Sequence, residues 1–153
     1  FAPFYQTIYP HVVSIVKKPK NEANNFLKKV FKYSLGISTI VFLLSVLLGE
    51  FSLLLVFGEE AKNSINIFYI LSPLIIILPM AYLFFNVILL SFKLDKYFSK
   101  LYIIGGITNL SMIFILFQFL EEKIVAVSLS LLITELLIML LAYILIKNKG
   151  LMD

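Results

Sequence analysis

The stretch LLITELLIMLLAYILIK, Leu131–Lys147, carries one acid, Glu135, inside an otherwise apolar run. Ile124 to Ile146 contains no other charged residue, and Glu135 is its midpoint. At about 1.5 Å per residue such a helix is long enough to cross a bilayer with some tilt. A carboxylate carried to that depth costs roughly 2.5–3.5 kcal/mol or more when ionised, so its presence demands a reason.

Working outward, the 153-residue chain is 61% hydrophobic and only 14% charged, with a mean hydropathy of +1.00. Soluble domains average about 45–50% apolar and about 25% charged residues. An all-α integral membrane protein is expected. Strands are disfavoured because the apolar runs are continuous, without the alternation of a membrane barrel. Four full spans can be placed: from about Tyr33 to Leu48 with the continuation FSLLLVF, from Ile67 to Leu90, from Leu101 to Leu120, and from Ile124 to Ile146.

Residues 1–16 read as the end of a preceding transmembrane helix, broken by Pro3 and Pro10. The chain opens FAPFYQ without Met, and no basic region precedes its first apolar stretch, so that stretch does not read as a signal peptide. A piece of a longer protein is expected. Residues 17–32 read as a basic cytoplasmic loop holding an amphipathic helix, and residues 33–153 as a four-helix unit.

All 13 basic residues are lysines. KKPKNEANNFLKKVFK (17–32) holds six, SFKLDKYFSK (91–100) three and the tail 147–153 two, whereas the links GEEAKNS and EEK hold one each. This alternation is the positive-inside pattern and puts the C-terminus in the cytoplasm. The basic charge is thus explained by topology and lipid contact, not by nucleic acid. In NNFLKKVFKY, Phe26, Leu27, Val30 and Phe31 recur at helical spacing between lysines, which suits a segment lying along an anionic membrane surface.

Polar residues inside the spans are the candidate functional groups. Ser34, Ser38, Ser45 and Gly49 form a small-residue stripe suited to close helix packing. Ser72, Pro79 and Asn86 lie seven apart, with Tyr82 four before Asn86, and are expected to share a face of a proline-kinked helix. That face is either a transport-pathway lining or a packed kink. Gly105, Gly106 and Asn109 crowd one end of the third span, and Asn109 and Gln118 need hydrogen-bond partners. Glu135 is expected to tie its helix to a neighbour by a hydrogen bond, or to take part in ion coupling. There are no cysteines and one histidine, His11, so neither disulfides nor a metal site is expected. No catalytic motif is present, and the chain does not read as an enzyme.

The stretches YPHVVSIVKK (9–18), LLVFGEEAKNSINIFYILSP (54–73), NVILLSFKLDKYF (86–98), YIIGGITNLSMIF (102–114) and VAVSLSLLITELLIMLLAYI (125–144) occur in an order that resembles the C-terminal part of the polysaccharide (O-antigen type) flippases. These belong to the multidrug/oligosaccharidyl-lipid/polysaccharide exporter superfamily. The resemblance covers essentially the whole chain. It implies four full helices and the end of a fifth, within one six-helix lobe of a twelve-helix transporter of the bacterial inner membrane. The implied activity is alternating-access flipping of an undecaprenyl-diphosphate-linked oligosaccharide for surface polysaccharide synthesis, with no cofactor but with coupling to an H+ or Na+ gradient. Its partners would be the lipid-linked glycan, membrane lipids and an N-terminal lobe.

On that resemblance, Tyr9, Tyr82, Asn86 and Asn109 are candidate pathway residues, and His11 and Lys17 candidate contacts at the cytoplasmic mouth. The basic cavity residues associated with sugar-phosphate binding are not found within these spans. Two alternatives stand beside the flippase: a multidrug/cation antiporter of the same superfamily, which would favour acids in the cavity, and a structural or assembly subunit, in which Glu135 and Asn86 only lock helices together.

Overall fold

The computed structural model describes residues 2–17 and 19–151. Phe1, Lys18, Met152 and Asp153, which fall in the expected span end, basic segment and tail, lie outside the described residues. Six α-helices follow one another: α1 (Ala2–Ile15), α2 (Lys20–Phe57), α3 (Lys62–Leu71), α4 (Leu74–Tyr82), α5 (Asp95–Phe119) and α6 (Lys123–Asn148). A 3-10 turn, Gly58–Ala61, joins α2 to α3, and a π-helical segment, Leu83–Leu89, extends α4. No strand occurs among the described residues. Three stretches, Asn21–Leu71, Asp95–Phe119 and Lys123–Asn148, hold helix long and apolar enough to cross a membrane.

Two expected boundaries shift. The basic segment and the first span are one helix: α2 runs 38 residues without interruption, about 57 Å. Pro19 precedes its first residue, where a missing N–H costs nothing, and no proline follows before Gly58. On this stretch Ala23, Leu27 and Val30 are buried, Leu27 and Val30 within the core, while Lys28, Lys29 and Lys32 are exposed. The stretch expected as a second span is divided at Ser72–Pro73 into α3 and α4. Pro10, for its part, sits inside α1 without ending it.

Gly58 ends α2 with φ 69° and ψ −159°, a region closed to residues with a Cβ. The chain then folds back, and α4 packs along α2. Within the predicted stripe on α2, Ser34 and Ser38 are fully buried, and Ser38 Oγ donates to Ser34 O at 2.7 Å. At Gly49 the ring of Phe68 occupies the place where a Cβ would project, which brings α3 against α2.

α4 with its π extension forms the centre. Met80, Ala81, Leu83, Phe84, Phe85, Val87, Ile88 and Leu89 are all buried. Phe84 stacks on Phe31 of α2 (5.9 Å between centroids), and Phe85 meets Phe98 and Tyr102 of α5 edge to face. Between α5 and α6 the close point is Gly105, which touches Ile138.

The π segment and α6 end in the same way. Lys93 (φ 56°) and Gly150 (φ 61°) take the left-handed conformation. The following amides, Leu94 N–H and Leu151 N–H, reach back to Leu89 O and Ile146 O at 2.9 and 3.1 Å. These are Schellman-type closures, for which glycine is the usual residue. Lys149 Nζ lies 5.2 Å above the Tyr97 ring, so the end of α6 adjoins the start of α5. The Lys-rich segment 91–100 and the C-terminal tail therefore adjoin each other.

Large apolar side chains cover the outside, among them Leu47, Phe51, Phe114 and Phe119, each at least 66% exposed. Such a surface suits hydrocarbon, where burial of apolar area between helices has little driving force and close packing with polar contacts takes over. The small buried residues on α2, α5 and α6 meet that requirement.

Candidate functional site

Three helices each give one face to a groove of about 490 Å³. From α4 and its extension come Leu78, Ala81, Tyr82, Phe85 and Asn86; from α5, Tyr102, Gly105, Gly106 and Asn109; from α6, Leu131, Thr134, Glu135 and Ile138. Each set follows i, i+3, i+4, i+7, the spacing that lines up side chains along one face of a helix. The paired glycines leave room where α5 would otherwise fill the space.

Asn109 ties the groove wall together. Its Nδ2 lies 3.4 Å from Ser130 Oγ and 3.5 Å from Thr134 Oγ1, both on α6. These bonds are long, but both partners are buried. Ser130 Oγ also donates to Val127 O at 2.8 Å, which anchors it within its own helix. The expectation that Asn109 finds partners is thus met across the α5–α6 contact, while Gln118 is exposed and forms no hydrogen bond among the described residues.

Glu135 behaves differently. Its carboxyl is half-buried, lines the groove, and has neither a hydrogen bond nor an ion pair among the described residues. Among the described residues it forms no hydrogen bond to a neighbouring helix, one of its two expected roles. Among the described residues no lysine or histidine lines the groove either.

A second groove, of about 320 Å³, is lined by Tyr5, Gln6 and Tyr9 of α1 and by Tyr82, Asn86, Val87 and Leu90. Tyr82 and Asn86 therefore form the wall shared by both grooves. Tyr5 stacks on Tyr82, with centroids 5.2 Å apart and planes at 24°, and so docks α1 against this wall. Sequence reasoning missed Tyr5, Phe85 and Tyr102, because aromatic residues in apolar helices carry no distinguishing signal.

Of the predicted residues, then, Tyr82, Asn86, Asn109 and Glu135 converge on one groove, and Tyr9 joins Tyr82 and Asn86 on the other. His11 and Lys17 are exposed and line neither; the His11 ring lies 5.0 Å from Phe26. The expected common face of Ser72, Pro79 and Asn86 does not persist. Ser72 is buried and bonds to Tyr69 O at 2.9 Å, Pro79 is buried, and only Asn86 reaches a groove. The helix widens to π geometry from Leu83, between Pro79 and Asn86, which changes the angle between them. Among the described residues no group of three or more metal-binding side chains occurs.

Comparison with known proteins finds no matching family model, no matching curated protein and no matching solved structure.

Proposed function

We propose that this chain is part of a transporter lobe that moves a lipid-linked oligosaccharide, carried on undecaprenyl diphosphate, from the inner to the outer leaflet of a bacterial inner membrane. One observation carries the reading. Four polar residues from three apolar helices, Tyr82, Asn86, Asn109 and Glu135, line a single groove. A chain whose polar residues served packing alone would pair them helix to helix. Asn109 is paired in that way, but Glu135 is left facing open space.

On this reading the amides and hydroxyls of the groove meet sugar hydroxyls, while the lipid tail stays in the bilayer. Among the described residues the groove has no cation, so the diphosphate stays near the Lys-rich segments, taken as cytoplasmic. Alternating access is completed by a second lobe outside these 153 residues, with the shared Tyr82–Asn86 wall between the two grooves.

The test is deletion of the gene in its host, followed by treatment of intact inner-membrane vesicles with a sugar-modifying reagent that cannot cross the bilayer. Accumulation of protected, inward-facing glycan supports the reading. Normal glycan export in the deletion strain overturns it.

A further inference from the structure

Among the described residues Glu135 is the only charged side chain in a groove otherwise built from apolar, aromatic, amide and hydroxyl groups. A carboxylate in such a place is stable as an ion only with a counter-charge, and the described residues offer none. The groove is also much larger than a single ion. Three aromatic side chains, Tyr82, Phe85 and Tyr102, line it together with Glu135. An acid with aromatic faces is the combination that holds an ammonium group, by charge on one side and by ring quadrupoles on the others.

We infer that the groove between α4, α5 and α6 is a binding site for an organic ammonium group, with Glu135 as its counter-charge. Asn86 and Asn109 contribute carbonyl oxygens that can accept from the N–H bonds of a primary amine. Other occupants fit less well. A phosphate would meet a carboxylate and no cation. A hard divalent cation such as Mg2+ or Ca2+ takes six or more oxygen ligands, several of them carboxylates, and among the described residues the groove offers one carboxylate beside two amide carbonyls. A neutral sugar alone would leave Glu135 uncompensated.

A group of this chemistry would be an amino sugar on the transported head, and to that extent the inference rests on the transport reading. Binding itself can be measured without transport. The intact transporter that carries this chain is purified in detergent and titrated calorimetrically with benzyltrimethylammonium, and in parallel with benzyl alcohol and with sodium chloride. Saturable binding of the ammonium but not of the alcohol is expected. Glu135→Gln should weaken it about tenfold or more, Glu135→Asp should retain it in part, and Glu50→Gln, on α2 outside the groove, should leave it unchanged.

Circular dichroism establishes that each variant is folded. Absence of saturable binding, equal binding of benzyl alcohol, displacement by sodium, or undiminished binding in Glu135→Gln overturns the inference. The two readings fail separately. A chain that supports glycan export without binding ammonium loses only the site, and one that binds ammonium without supporting export loses only the glycan.

Discussion

Gly105 of α5 lies against the side chain of Ile138 of α6, at a point where a Cβ would overlap the end of that side chain. Its neighbour Gly106 has open space in the same position. The two glycines therefore differ in what they do, although they are adjacent in sequence. Gly105→Ala should force the end of the Ile138 side chain to shift and cost up to about 1–3 kcal/mol, the usual range for overpacking. Gly106→Ala should be neutral or stabilising by up to about 1 kcal/mol, from helix propensity alone. Thermal unfolding in detergent distinguishes them. Ile138→Val, which removes the atom in closest contact, should rescue Gly105→Ala, and a double-mutant cycle without coupling would refute the contact.

Asn109→Leu removes both hydrogen bonds across the α5–α6 contact. Measured interhelix bonds in membranes are worth on average about 0.6 and at most about 1.7 kcal/mol. A loss in that range is expected in reversible unfolding. Ser130→Ala and Thr134→Val should each recover part of it, and Asn109→Leu added to the pair should then cost less than it does alone.

Glu135→Gln should leave stability within about 0.5 kcal/mol, because no partner within the chain is lost. Glycan export by the intact transporter should fall in the same variant. A large loss of stability would mean that the carboxyl is held by a structural bond, and the groove would then be packing.

Tyr82→Ala removes the stack with Tyr5 that docks α1 on the shared wall. An aromatic pair of this kind contributes about 0.5–1.5 kcal/mol beyond its burial. Hydrogen exchange should rise through Ala2–Ile15 and change little in α5. Uniform protection in α1 would show that its docking depends on other contacts.

Lys93→Gly places the usual residue in a left-handed position now held by lysine. The left-handed conformation costs an L-residue about 1–2 kcal/mol, offset in part by the greater chain entropy of glycine. The unfolding midpoint should rise, by up to about 1 kcal/mol in stability. A fall would show that the lysine ammonium contributes more than its backbone costs.

Much of the molecule was legible in the residues alone. Continuous apolar runs determined a helical chain with stretches able to cross a membrane, and the small residues Ser34, Ser38 and Gly49 marked a packing face, because only side chains of that size let backbones meet closely. The polar residues of the runs were visible for the same reason: each is costly in hydrocarbon and stands out. Tertiary structure decided what they do together. Tyr82 and Asn86 lie on α4 and its extension, Asn109 on α5 and Glu135 on α6, and whether these three faces converge depends on rotations that spacing within one helix does not carry. The break at Ser72–Pro73 and the continuity of α2 from its basic first turns were likewise decided by the fold. The chemistry of single residues is written in their order; the groove comes from three helices packed at one particular set of rotations.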